Sequence, residues 1–277
     1  MPSSRPKTRR VHRAASEIPM YHKPYLYDLA FGFRDIPAEC KGLLALASRY
    51  GLKRPRSALE LACGPAHHLR ELASDGIACL GLDINREMLS YARALCRRDG
   101  VQVALRRADM RTFTVERRFD LVLCLFDSFA QCVTERDGIE TLRRSGAALR
   151  KGGLAFVEFT HPADYFGKGR TRTSDRWTVG RGERGVKARF SLTRFDPIEE
   201  TFVASLVIEP NHRNGRRRLG RLAMRWPQHM WLRGGVQYVV AASGCFDIVG
   251  WYGDIDPILP LDMSERSWRM IAVLRRR

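Results

Sequence analysis

A chain of 277 residues with 44% apolar and 28% charged side chains has the material for one well-buried core, which excludes a disordered or fibrous protein. Its formal charge of +18 rests on 48 lysines and arginines, mostly arginine, spread along the chain rather than gathered in one aromatic-interleaved stripe. That distribution reads as a solvated basic surface, so nucleic acid is left open as a partner without being favoured.

The first 20 residues are rich in Pro, Ser and Arg and lack an apolar run, so a disordered basic tail is expected there rather than a secretory signal. Residues 37–50 place apolar side chains at helical intervals and meet Gly51 as a stop. SALELA (57–62) reads as a short buried strand, followed by the turn CGPA and a helix over residues 67–73 that Gly76 closes. IACLGLDI (77–84) is the second strand. REMLSYARALCRRD (86–99) is a helix with Met88, Leu89, Ala92 and Leu95 on one face, and VQVALRRAD (101–109) is the third strand. FDLVLCLF (119–126) is an almost unbroken apolar run, the mark of a central strand covered on both faces. A helix over 135–150 stops at Lys151-Gly152-Gly153, and LAFVEFT (154–160) is the fifth strand.

Strands alternating with helices imply right-handed crossovers and a parallel sheet. The fold expected is therefore α/β, doubly wound and Rossmann-like: a seven-stranded, mostly parallel sheet with an antiparallel β insertion after the fifth strand. The core is expected over 21–160 and the β-rich insertion or lid over 161–235, where short alternating runs are separated by turn residues. Residues 236–277 are expected to give a helix and an antiparallel pair of strands that complete the core sheet at its edge.

Seven cysteines, odd in number, lie mostly in apolar runs with no CxxC pair, and read as buried thiols of a reducing, cytoplasmic setting. No apolar run approaches the roughly 20 residues of a membrane span. His67 and His68 are adjacent at a helix start, where their side chains diverge by about 100°, so no metal site is expected.

The polar turn after the first strand lets a ligand approach the backbone, beside the unpaired N–H groups of a helix start. Asp83 lies 19 residues past Gly64, where a carboxylate would accept hydrogen bonds from ribose hydroxyls. Asp109 would bond an exocyclic amine, and Met110 would cover an adenine face. A ribose-bearing cofactor fits this layout.

These motifs, LELACGPAHHLREL, LGLDINREML, RRADMRTF, FDLVLCLFDSF and LRKGGLAFVEF, occur in the order found in class I S-adenosylmethionine-dependent methyltransferases, and the chain resembles the small-molecule members of that family. The resemblance implies S-adenosyl-L-methionine as cofactor, with S-adenosyl-L-homocysteine as product. By that resemblance Glu60 orients the methionine amino group beside the Ala62 and Gly64 backbone, Ile84 and Met88 pack on the adenine, and Leu125 offers its carbonyl near the methionyl end. YHKPYLYDLAF (21–31) resembles the family's N-terminal lid helix, which makes Tyr21, Tyr25 and Tyr27 candidates to close over the cofactor.

Ala66 departs from the family's usual glycine, and an alanine held left-handed costs roughly 1 kcal/mol. FDSF stands where amino-methyltransferases of nucleic acids carry Asn/Asp-Pro-Pro-Tyr/Phe, which argues against methylation of bases. At the strand ends His161 is the first candidate general base and Asp127 the second. The function expected is methyl transfer to nitrogen or oxygen of a small-molecule metabolite. Arg213 and Arg216-Arg217-Arg218 make an anionic acceptor conceivable. The alternatives are an RNA-modifying methyltransferase and a noncatalytic nucleotide-binding module. The oligomeric state, a dimer among the options, is left open.

Overall fold

The computed structural model describes residues 23–166, 174–180, 185–210 and 221–277. The expected basic tail, Tyr21 and the arginines at 213 and 216–218 lie outside them.

The central sheet has the order β11-β10-β12-β5-β4-β1-β2-β3. Its parallel half comprises β1 (Ser57–Leu61), β2 (Ala78–Asp83), β3 (Val103–Arg107), β4 (Phe119–Cys124) and β5 (Leu149–Thr160). Helices α2 (Ile36–Arg49), α3 (His67–Ser74), α4 (Arg86–Asp99) and α5 (Glu135–Ala148) fall close to the spans that periodicity predicts. Three of them begin on side-chain caps: Asp35, Asn85 and Thr134 each accept an N–H from the first turn.

Alternate residues of the inner strands feed two separate cores. Leu59, Val122, Ala155 and Ala272 pack on one face with Leu142 of α5 and Val239 of α7 (Arg233–Ser243). Ala58, Leu121, Leu154 and Ile271 pack on the other with Leu43 of α2, Leu69 of α3 and Leu89 of α4. Burying each large apolar side chain stabilises the fold by about 1.5–3 kcal/mol, so both faces of β1 and β4 must stay covered.

The sheet has eight strands among the described residues, one more than expected, because Ile258–Pro260 (β11) folds back on β10 (Phe246–Ile255). The expected antiparallel pair does form, but only β10 lies toward the edge. β12 (Arg269–Arg276) is inserted between β5 and β10, antiparallel to both. Its run from Arg269 to Leu274 is buried at every position, which an edge strand could not be. The helix before β5 ends at Ala148, earlier than the glycine pair predicts, and Gly152 (φ +77°) lies inside the strand.

A second, antiparallel sheet runs β6-β7-β8-β9 (Ser174–Val179, Val186–Asp196, Thr201–Pro210, Leu222–His229) after the short helix α6 (Pro162–Phe166). Its strands alternate, and Val186, Leu206, Ile208 and Met224 turn inward onto Leu26 and Ala30 of helix α1 (Pro24–Phe31). The Trp177 indole N–H donates to the Ala30 carbonyl at 2.6 Å. Helix α1 is thereby seated on the second sheet while it spans the C-terminal ends of the core strands.

Candidate active site

The β1–α3 turn is built from three left-handed residues, Ala62 (φ +51°), Gly64 (φ +51°) and Ala66 (φ +58°). The conformation expected to strain Ala66 is the one it adopts, and its methyl group is fully buried in the core, which offsets part of the cost. The turn lies close against β2 because residue 81 is glycine: a Cβ there would stand 2.7 Å from the Cys63 sulfur. Asp83, at the end of β2, holds the turn by accepting Gly64 N–H at 2.9 Å and Asn85 N–H at 2.8 Å. Burial raises its pKa despite those two bonds. Each carboxylate oxygen keeps a second lone pair for a further donor.

Glu60 is buried near the end of β1, one oxygen 3.5 Å from His68 Nδ1 and the other, Oε2, without a hydrogen-bond partner. His68 Nε2 meets Glu39 Oε2 at 2.9 Å. Burial opposes a charge on His68, but Glu39 and Glu60 raise its pKa above the usual value. The chain of charge continues through Arg34, which forks onto Glu39 (2.7 and 2.7 Å) and onto Glu158 of β5 (2.9 and 2.9 Å). Arg269 reaches Glu158 at 3.1 Å and Asp254 at 2.6 Å. Burial works to raise the Glu39 pKa, yet bonds from His68 and Arg34 hold it down at about 2. Four carboxylates, Glu39, Glu60, Glu158 and Asp254, thus face three cationic groups, Arg34, Arg269 and His68, and the unpartnered oxygen is on the carboxylate nearest the turn.

The remaining cofactor candidates surround the same strand ends. Met88 is buried at the start of α4, and Ile84 and Met110 are half-buried. Asp109 is already gripped by Arg111, whose Nη2 is 2.7 Å away and whose backbone N–H donates at 2.9 Å; burial alone would raise its pKa, and these bonds lower it. The Leu125 carbonyl accepts Ser128 N–H at 3.2 Å. Tyr27 is half-buried against Phe31, whereas Tyr25 is half exposed.

Helix α1 is latched over this region by a residue that the sequence reading passed over. Asp28 bonds His67 Nε2 at 2.6 Å and accepts the Tyr91 hydroxyl of α4 at 2.6 Å. Arg70 Nη2 lies 2.8 Å from His67 Nδ1, on the side of the ring away from Asp28. The two histidines therefore do different work: His67 ties down the lid helix and His68 joins two buried carboxylates.

Beside these strand ends, between α1, the end of β5 and the second sheet, opens a cavity of about 760 Å³. Of the sequence candidates, Tyr27, Asp127 and His161 line it. It adjoins the turn through Phe126, which meets the His68 ring edge-on at 6.0 Å and carries the Arg34 guanidinium 3.9 Å over its face. Phe126 and Asp127 are both left-handed (φ +55° and +54°), which turns the chain sharply as it leaves β4. Asp127 accepts Thr160 N–H at 3.0 Å and the Thr160 hydroxyl at 2.9 Å. Burial lifts its pKa to about 7 against those bonds, with a further push from the Glu158 charge.

His161 does not fit the role of first candidate base. Its Nδ1 accepts Ala163 N–H at 3.1 Å, so Nε2 carries the proton and donates to the Asp262 carbonyl at 3.0 Å. Both ring nitrogens are spent on pinning the loop after β5 to the segment before β12. Among the described residues, the wall carries Asp127, Glu158, Asp164, Asp175 and Glu265 together with Arg34, Arg176 and Arg269.

Residues 58–153 match a family model described as a methyltransferase domain. Over 135 residues, 48% of this chain and 51% of the relative, the sequence is 34% identical to the dTDP-3-amino-3,6-dideoxy-alpha-D-glucopyranose N,N-dimethyltransferase of Streptomyces fradiae. The chain spans about half the length of the curated relatives it matches. Among solved structures it is similar to an S-adenosylmethionine-dependent methyltransferase from Clostridium acetobutylicum, with a TM-score of 0.74 and 17% identity over 92% of this chain and 98% of that one. DesVI from Streptomyces venezuelae gives a TM-score of 0.73 at 20% identity over 91% and 97%. At such identities the likeness speaks for the fold, which is the Rossmann-like methyltransferase fold.

Proposed function

We propose that this chain, which carries a methyltransferase domain over residues 58–153, is an S-adenosyl-L-methionine-dependent methyltransferase that modifies an amine nitrogen of a small molecule, an amino sugar in the first instance. The observation that carries the reading is Asp127, a half-buried carboxylate held by Thr160 on the wall of the cavity beside the β1–α3 turn, its pKa lifted by burial to about 7. The dTDP-amino-sugar N,N-dimethyltransferase resemblance supports the amine and the sugar.

The residues at the turn fit the cofactor. Glu60 Oε2, buried without a partner, would receive the methionine ammonium, whose charge balances the excess carboxylate of the Arg34–Glu39–His68 network. The unused lone pairs of Asp83 suit the two ribose hydroxyls, while Ile84, Met88 and Met110 would cover the adenine. Asp109 reaches an exocyclic amine by sharing its carboxylate with Arg111. When bound, S-adenosylmethionine supplies a methyl group on a positively charged sulfur. Tyr27 on the latched α1 would exclude water from above, and Leu125 would offer its carbonyl at the methionyl end.

An ammonium is no nucleophile, so the acceptor nitrogen must give up a proton. Asp127 receives it, since a base with a pKa near 7 is partly ionised at neutral pH and still basic enough to act. Asp127 and Asp175 on the described wall support a cationic amine as the acceptor. The insertion over 161–235 forms the acceptor wall through its antiparallel sheet. No described helix is long and apolar enough to cross a membrane, and the buried free thiols suit a reducing, cytoplasmic setting.

The test is calorimetry of S-adenosylmethionine and S-adenosylhomocysteine on the wild type and Asp83→Ala, followed by a screen of amines for S-adenosylhomocysteine release. Unchanged affinity in Asp83→Ala, or turnover with hydroxyl acceptors only, defeats the reading.

A further inference from the structure

Strand β9 turns Leu222, Met224, Trp226 and Gln228 to one face, and period-two alternation calls for an apolar side chain at all four. Leu222 and Met224 obey and bury against α1. Trp226 and Gln228 come next and line the cavity. Gln228 is only 5% exposed, is register-paired with the buried Phe202, and its Oε1 has no hydrogen-bond partner. A buried amide oxygen left unpaired on an apolar face weakens the fold unless a ligand supplies the missing donor.

The surroundings say what kind of donor. Trp226 and Phe190 stand with ring centroids 6.2 Å apart on the same sheet, and Trp177 and Phe31 (5.7 Å) stand on another part of the wall. Flat aromatic faces beside a buried amide acceptor suit a ring that shows a C–H face and a hydroxyl edge. Asp127, at the core end of the same cavity, faces the amine.

Resting on the methyltransferase reading above, we propose that Gln228 Oε1 accepts a hydrogen bond from a ring hydroxyl of the acceptor, and that the second sheet thereby selects hydroxylated cyclic amines over their deoxy counterparts. Rejection of an analogue that lacks the donor follows from chemistry: with nothing to pair with, the amide oxygen stays desolvated and unbonded when the cavity is filled.

The test compares 3-amino-3-deoxy-D-glucose with cyclohexylamine on the wild type, Gln228→Leu and Gln228→Glu. Binding is read by ligand-observed NMR with and without S-adenosylhomocysteine, and methyl transfer by S-adenosylhomocysteine release. The wild type should prefer the amino sugar, and Gln228→Leu should reduce that preference by about tenfold or more through Kd and KM. Gln228→Glu, which keeps an acceptor oxygen, should retain the preference. A preference that survives in Gln228→Leu, or a wild type that prefers cyclohexylamine or binds neither amine, overturns the proposal. Calorimetry of the cofactor on the same samples separates the two readings: no S-adenosylmethionine binding to the wild type defeats the methyltransferase reading. An unaltered acceptor preference with cofactor binding intact defeats only the role of Gln228.

Discussion

Replacing Asp127 by Asn should slow methyl transfer sharply and make the protein more stable, increasingly so as the pH rises. The Asp127 pKa is lifted from 3.8 to about 7 by burial. A carboxylate that is harder to ionise in the folded state than in the unfolded one costs stability from its unfolded pKa upward, and the cost levels off above its folded pKa. At 1.36 kcal/mol per pKa step, the cost is about 1.5 kcal/mol at pH 5 and about 4 kcal/mol at pH 8.5. Asn removes this cost and keeps the geometry. Its amide oxygen accepts Thr160 N–H, and its NH2 donates to the Thr160 hydroxyl, which reverses its role. Asn also tolerates the left-handed backbone that residue 127 adopts at φ +54°. Urea unfolding of both proteins from pH 5 to 8.5 should show the Asn variant gaining about 2.5 kcal/mol on the wild type across that range, while loss of the base lowers kcat by about 10²–10⁴-fold. A stability difference that does not change with pH would refute the reasoning, because a carboxylate with the same pKa folded and unfolded gives that result.

Glu60→Gln should weaken S-adenosylmethionine binding by about 10–100-fold in calorimetry, the worth of one hydrogen bond to a charged group, without lowering the melting temperature of the ligand-free protein, since it removes the carboxylate in excess. Tyr91→Phe deletes one of the two bonds that latch Asp28, and should speed cofactor release in stopped flow by a few-fold, with a stability loss of about 1 kcal/mol. Arg34→Met strips two forked pairs and leaves Glu39 and Glu158 with Arg269 as their shared arginine, so chemical denaturation should show a loss of about 3–5 kcal/mol. Gly81→Ala drives a methyl group into the Cys63 sulfur and Leu105, costing about 1–3 kcal/mol in the same measurement, and Cys63→Ala on that background should recover part of it.

The elements were legible wherever local periodicity decides them. The unbroken run 119–126 became the fully buried β4, and the apolar face of residues 86–99 became the buried side of α4. The candidate site rests in the sequence on spacing, as for Asp83 after Gly64, and on the family resemblance, as for Glu60. The pairs that organise it were not legible, because the sequence distance between partners is too long for any pattern to carry. Arg34 finds Glu158 across 124 residues, and Arg269 finds it across 111. His161 looked available because it follows a strand end. The Asp262 carbonyl that takes its Nε2–H lies 101 residues on. Gln228 did give a local signal, a polar residue at an apolar beat of β9, but reading it required knowing which face of that strand is buried.

One physical feature joins the two halves of the site. Of the six non-glycine residues with positive φ among those described, four, Ala62, Ala66, Phe126 and Asp127, follow the C-terminal ends of β1 and β4, which are hydrogen-bonded neighbours. Each costs about 1–2 kcal/mol in isolation. That sum is tolerated because β1 and β4 are buried on both faces and cannot relax without opening both cores. Both turns stand at the carboxyl ends of paired neighbouring strands, the side on which an open α/β fold takes its ligands. The first bend lies beside Glu60 and is held by Asp83, and the second sets Asp127 on the wall of the cavity. Relaxing either turn to right-handed geometry would separate the groups proposed to hold the methyl donor from the carboxylate proposed to free the acceptor nitrogen.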